Sequence, residues 1–138
     1  IIVGIKDSSG DWETTKALLG IDGLIVYPGA ELPVIDAIRL GAPGCISATA
    51  NLNSVDIAEV ITLCHANQWK AAESKHKKVC GVRMLFQDYA PIPAQKALLA
   101  RQLSEPAWNN LRPPMQPMAA DKLETLAATL ETEFGMKF

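Results

Sequence analysis

Apolar and polar positions alternate in blocks along the first third of the chain. "IIVGIK", residues 1–6, is a short continuous apolar run, which is the pattern of a strand covered on both faces. "SSGD" then breaks the run, and Asp11 is placed to cap the helix "WETTKALL", which Gly20 stops with a residue suited to the left-handed position past a helix end. "LIVY", residues 24–27, is a second apolar strand. After "PGA" comes the helix "ELPVIDAIRL", ended by Gly41, and "GCIS", residues 44–47, is a third strand. Strands therefore end at Lys6, Tyr27 and Ser47 at nearly constant spacing. Short apolar strands separated by short helices predict βαβ units and a parallel sheet.

Beyond Ser47 the period becomes helical. In "SVDIAEVITLCHANQ", Ile57, Val60, Ile61 and Cys64 fall on one stripe, and near the end Leu123, Leu126, Ala127, Leu130 and Phe134 do the same. A long helix near residues 69–86 and another near 93–103 lie between, joined by proline-rich loops. Three parallel strands leave two open edges and a face without cover. A (β/α)8 barrel takes about 250 residues, well beyond this chain. The pattern is that of the last three βα units of a TIM barrel, residues 1–66, plus a C-terminal helical extension, residues 67–138. A complete three-layer α/β domain with a small sheet is the alternative. Residue 1 is not methionine and lies inside a strand, so a longer parent protein is expected.

Composition narrows the partners. The 138 residues are 49% hydrophobic and 20% charged, with a net charge of −2, which gives no field to attract nucleic acid or an acidic membrane surface. No apolar run approaches the ~20 residues of a membrane helix. Cys45, Cys64 and Cys80 are odd in number and widely spaced, a pattern that suits reduced thiols in the cytoplasm rather than a disulfide framework.

Lys6 is the residue that carries chemistry. Strand alternation sets Ile2, Gly4 and Lys6 on one face and Ile1, Val3 and Ile5 on the other. If the first set faces a barrel interior, Gly4 leaves room beside the lysine, which then stands at the carboxyl end of a parallel strand, where barrel active sites are built. Desolvation disfavours an ammonium ion, and a neutral amine is the nucleophile that forms a Schiff base. On spacing alone, a lysine at a strand end is more often simply solvated.

"GIKDSSGD" resembles the Schiff-base lysine segment of the dihydrodipicolinate synthase/N-acetylneuraminate lyase family, class I pyruvate aldolases on a (β/α)8 barrel. "YPGAE", "LGAPGCISATAN" and "LRPPMQPM" follow in the family's order and spacing, matched to the second half of a member. The resemblance implies that Lys6 forms the imine and that Gly29 lies at the substrate. It also implies that Ile46 offers its carbonyl near the lysine, that Ser47 faces the site mouth and that Glu31 helps select the aldehyde. It further implies a lyase that condenses pyruvate with an aldehyde, or cleaves the aldol, without metal or organic cofactor. The nearest activity is that of 4-hydroxy-tetrahydrodipicolinate synthase. The alternatives are a 2-keto-3-deoxy sugar acid or 4-hydroxy-2-oxoglutarate aldolase, and a catalytically silent interaction or regulatory relative. Members are commonly tetramers, so a homo-oligomer, tetramer or dimer, is expected.

Some of the family pattern is missing. Its tyrosine proton shuttle and its hydroxyl-rich carboxylate loop belong to earlier strands, and Tyr27 is on the wrong strand for the shuttle, so these residues alone are expected to be inactive. Ala90 and Gln95 replace the asparagine and lysine of the "NPIPVK" pattern of dihydrodipicolinate synthases, and Leu32 stands where sialic acid lyases carry an acid.

Other constellations have plainer readings. His76 and Cys80 supply two of the four ligands a closed zinc site needs. Cys64 and His65 are adjacent on a helix and point apart, as core and solvent residues. "KHKK", residues 75–78, reads as the charged face of a packed helix. Trp12, Trp69 and Trp108 read as packing residues, and "PPMQP" as a rigid connector.

Overall fold

The computed structural model describes residues 1–138. The chain forms two compact units, Ile1–Arg83 and Met84–Phe138.

The first unit opens with β1 (Gly4–Asp7), α1 (Trp12–Leu19) and β2 (Ile25–Pro28). The strands pair in parallel, with Gly4 opposite Ile25 and Lys6 opposite Tyr27. Asp11 caps α1 by accepting from the Glu13 and Thr14 amides. Gly20 follows in a right-handed conformation, φ −79°, so the left-handed turn expected there is absent. Its amide bonds back to the Lys16 and Ala17 carbonyls, which closes the helix without reversing φ. The expected reversal does occur at Gly41, φ +101°.

Two further expectations are corrected. Ile1, Ile2 and Val3 are not a buried strand: they precede the ladder and are 119%, 86% and 64% exposed, because β1 has a partner on one edge only. Residues 44–47 make no ladder either. The Ile46 amide bonds to the Pro28 carbonyl at 3.0 Å, but Pro28 has no N–H to return. The third βα unit is present as an extended segment laid along the end of β2, and the sheet has two strands.

Helices close the other side. α2 (Val34–Arg39) is shorter than expected: Glu31–Val34 form a turn closed by the Val34 amide on the Glu31 carbonyl at 3.0 Å, and the helix begins only after Pro33. α3 runs Ala50–His65 with non-helical angles at Asn53, so its regular part begins at Ser54, as the sequence suggested. α4 follows, Trp69–Leu85. Val34, Ile35 and Ile38 of α2 pack with Ile57, Val60 and Cys64 of α3 and with Ala72 and Val79 of α4 in one buried cluster. Outside it, Lys75 pairs with Asp56 and Glu59, and Lys78 with Asp56, so "KHKK" does lie on a packed helix as its charged face. Arg39 stacks over Trp69 at 5.0 Å.

The second unit has a 3₁₀ turn at Phe86–Asp88, then α5 (Pro91–Gln102), a turn at Pro106–Asn109, and α6 (Ala120–Phe134). Phe86, Leu98, Leu126 and Leu130 are fully buried, and Arg101 bonds Glu124 at 2.9 Å between α5 and α6. Leu126, Ala127 and Leu130 are the buried part of the stripe read from the sequence, with Leu123 and Phe134 half-buried at its ends. Trp108, expected to pack, is 39% exposed. No helix of the chain is long and apolar enough to cross a membrane.

Candidate active site

The carboxyl ends of β1 and β2 and the segment 44–49 meet at one end of the sheet. β1 sends Lys6 to one face and Asp7 to the other. Lys6 is exposed, so the dry surroundings expected for it are not supplied by these residues. Gly4 has a different task from making room for the lysine. A Cβ there would lie 2.9 Å from the Ile25 carbonyl oxygen, so glycine lets the strands approach.

Asp7, a residue the sequence did not single out, is 8% exposed and anchors the loop after β1. It accepts the Thr15 hydroxyl at 2.5 Å and the Ser9 amide at 2.9 Å. The Thr15 bond, then the Ser9 amide, hold its carboxyl below the usual range against the opposing effect of burial. Lys6 is thereby fixed in its backbone position by its neighbour. The only signal was a carboxylate next to the lysine with a threonine one helical turn into α1, too local to show as a periodicity.

The loop after β2 comes equally close. A Cβ on Gly29 would meet the Asp7 carbonyl oxygen at 2.6 Å and Ser8 Oγ at 3.1 Å, so no side chain fits between the loops. Ile46 is 47% exposed and its amide holds segment 44–47 to Pro28. Ser47 is half-buried, with Oγ 3.1 Å from Thr49 Oγ1.

Glu31 turns inward and is 1% exposed. Thr49 donates its hydroxyl to Oε1, Arg83 Nε stands 3.8 Å from Oε2, and His76 Nε2 lies 2.8 Å from the Glu31 carbonyl oxygen. Arg83 had no motif to mark it, and Thr49 lies inside the "LGAPGCISATAN" stretch without being singled out there. Their importance comes from tertiary contacts to a buried charge.

A cavity of about 480 Å³ opens beside these loops, lined by Asp7, Ser8, Trp12, Gly29, Leu32 and Arg83 among others. It lies on the Asp7 side of β1. Of the five expected site residues only Gly29 borders it, so the structure does not gather Lys6, Glu31, Ile46 and Ser47 around that cavity.

The thiols are poor nucleophiles in this setting. Burial, with the Glu31 charge second, pushes Cys45 up to about 11. Burial also raises Cys64 in the core and Cys80 on α4. His65 is exposed, apart from the core-facing Cys64. Cys80 Sγ lies 3.3 Å from His76 Nε2, and no third His, Cys, Asp or Glu joins them as a metal ligand.

The sequence profile of the dihydrodipicolinate synthetase family matches residues 1–133. The chain belongs to that family. It is 29% identical over 133 residues to a 4-hydroxy-tetrahydrodipicolinate synthase of Shigella dysenteriae, covering 94% of this chain and 45% of the relative. A dihydrodipicolinate synthase structure from Bacillus anthracis superposes with a TM-score of 0.78 at 25% identity, over 95% of this chain and 45% of that one. An N-acetylneuraminate lyase structure from Fusobacterium nucleatum gives 0.78 at 19% identity, over 96% and 45%. The chain thus spans under half the length of these family members, and its fold is part of a TIM barrel.

Proposed function

We propose that Lys6 is the imine-forming residue of a pyruvate-dependent lyase, acting in the full-length protein that carries these residues. The observation that carries this reading is the position of Lys6: the carboxyl end of a parallel strand in a barrel of this family, beside a loop fixed by Asp7. The neutral amine attacks the ketone carbon of pyruvate, forming a C–N bond, and the ketone oxygen leaves as water to give a protonated imine. Loss of a proton from C3 sends its electron pair toward the imine nitrogen and makes an enamine. C3 then attacks the aldehyde carbon, whose π pair moves to oxygen and takes up a proton, and water adds at C2 as the C2–N bond breaks to release the lysine amine. The reverse sequence cleaves the aldol.

Gly29, Ile46 and Ser47 are the proposed substrate contacts. A condensation like that of 4-hydroxy-tetrahydrodipicolinate synthase is the nominal reaction. The departures at Ala90 and Gln95 support a deoxy sugar acid or hydroxy-oxo acid aldolase as the second reading. The remainder of the barrel supplies the proton shuttle, the pyruvate carboxylate loop and the cover over Lys6, and the protein works as a homo-oligomer.

The test is borohydride trapping. The full-length protein is incubated with pyruvate, reduced and digested, and a stable adduct is expected on the peptide containing Lys6. An unmodified Lys6 in folded protein at saturating pyruvate rejects the reading.

A further inference from the structure

The cavity of about 480 Å³ on the Asp7 side of β1 has no part in the proposed lyase chemistry, and it falls within the size range of small-molecule sites. The charged side chains lining it are Asp7, Asp11, Asp36 and Arg83. Their hydrogen bonds separate them. Asp7 uses both carboxylate oxygens on its own chain, accepting the Ser9 amide and the Thr15 hydroxyl. Asp11, the cap of α1, accepts the Glu13 amide on Oδ1 and the Thr14 amide and hydroxyl on Oδ2. Asp36 is paired with Arg39 at 2.9 Å, so its charge is balanced one turn along α2. Arg83 differs from all three. Its side chain is 25% exposed and its Nε is buried with no hydrogen-bond partner. The carboxylate it faces, Glu31 Oε2, stands at 3.8 Å, too far for a hydrogen bond.

That contrast selects the ligand. A guanidinium is a planar fork of N–H donors, and the two oxygens of a carboxylate match it. The acids of the cavity are already saturated with donors, whereas the one cation is not. Asp7 and Asp11 carry charges that no cation balances, so a single negative charge opposite Arg83 is tolerated and a second is repelled. Trp12, at the start of α1, and Leu32, ahead of α2, add apolar wall, and Leu32 is 41% exposed with nothing over it.

We propose that this cavity binds a small monocarboxylate with an apolar or aromatic body, its carboxylate on the Arg83 fork and its body against Trp12 and Leu32. The site is separate from the Schiff-base centre, because strand alternation turns Asp7 and Lys6 to opposite faces of β1 and Lys6 does not line the cavity. Asp7 and Gly29 do line it, so the ligand bridges the loops after β1 and β2 to the end of α4. The proposal holds whether or not Lys6 forms an imine.

The experiment is calorimetric titration of the full-length protein with three probes of one shape: benzoate, benzamide and benzylamine. Benzoate is expected to bind about tenfold more tightly than benzamide, the scale of a charge-assisted hydrogen bond, and benzylamine is expected not to bind. Benzamide equal to benzoate overturns the proposal. So does benzylamine tighter than either, which would mean that Asp7 and Asp11 set the field, and so does the absence of benzoate binding up to about 50 mM. Arg83→Gln should abolish the preference for benzoate over benzamide. Trp12→Ala should weaken both about threefold and keep the preference, and an unchanged affinity there overturns the placement of the body. If Arg83→Gln does not fold once Glu31 loses its counter-charge, Arg83→Lys decides, because it keeps the charge and loses the fork. Benzoate should then bind about threefold more weakly, and unchanged binding in the Arg83 variant that folds overturns the proposal. Lys6→Ala locates the probe. Benzoate affinity should be unchanged in it, and a loss would put the probe in the Schiff-base centre and overturn the assignment to this cavity.

Discussion

The sheet and the helical layer of the first unit solve the same problem with unequal success. α2, α3 and α4 bury Ile35, Ile57, Val60 and Val79 against one another, with every partner supplied by these helices themselves. β1 has one strand beside it, and Ile1, Ile2, Val3, Ile5 and Ile25 stay in water at 41% exposure or more. Helices satisfy their backbone internally and need only one apolar neighbour, whereas a strand needs hydrogen-bond partners on two edges and cover on two faces. An apolar stripe of helical period was therefore matched here, and an apolar run of strand type was not.

The sharpest way to break this contrast is a pair of truncations. Ile57→Ala in the buried cluster should lower unfolding stability by about 2–5 kcal/mol, while Ile2→Ala in the same 138-residue chain should change it by less than about 0.5 kcal/mol. Chemical denaturation of the two variants measures both. Equal losses would mean that β1 is covered in solution. In the full-length protein Ile2→Ala should become costly, because the rest of the barrel then covers that residue, and the shift between the two contexts reports how much cover it provides.

A smaller effect is expected where the two strand ends meet. Gly29→Ala places a methyl group 2.6 Å from the Asp7 carbonyl oxygen, and this backbone neighbour cannot swing aside. A loss of roughly 1–3 kcal/mol is expected, the usual cost of overpacking. The loops after β1 and β2 should separate, so borohydride trapping at Lys6 in the full-length protein should also slow. An undiminished melting temperature would show that the two loops move apart without cost.

What the sequence made legible follows the same division. The stripe through Ile57, Val60 and Cys64, the Asp11 cap and the stripe through Leu126 and Leu130 were readable because helical burial and capping are set by residues a few positions apart. The third strand was misread because its failure depends on Pro28, a residue from another element that cannot return a hydrogen bond. Glu31 was legible as an acid after β2 but not as an inward-facing one. Its direction is set by Thr49 and Arg83, 18 and more positions away in the chain. Lys6 could be singled out by the motif around it, yet Asp7, in the same motif, was not marked as the residue that holds the lysine's strand end, because its partner Thr15 lies outside that motif. Local patterns encode the scaffold, and polar networks at strand ends are encoded only in the assembled tertiary structure.

The smallest predicted effect concerns that anchor. Thr15→Val removes the hydroxyl donated to Asp7 Oδ2 and leaves the Ser9 amide on Oδ1, so a loss of roughly 1–2 kcal/mol is expected at neutral pH. The sign with pH follows from the direction of the Asp7 shift. A carboxyl held below its unfolded value stabilises the fold above the unfolded pKa of about 3.9, and that contribution is lost as pH falls through the lower, folded value. Wild type and Thr15→Val should therefore differ most at neutral pH, begin to approach each other below the unfolded pKa, and converge only once pH is below the lowered folded value of wild type, where Asp7 is protonated in both. Urea titrations at a series of pH values measure the gap. A gap that stays constant into acid would mean that Thr15 acts by packing in α1, and the carboxylate beside Lys6 would lose its role as the anchor of the strand end.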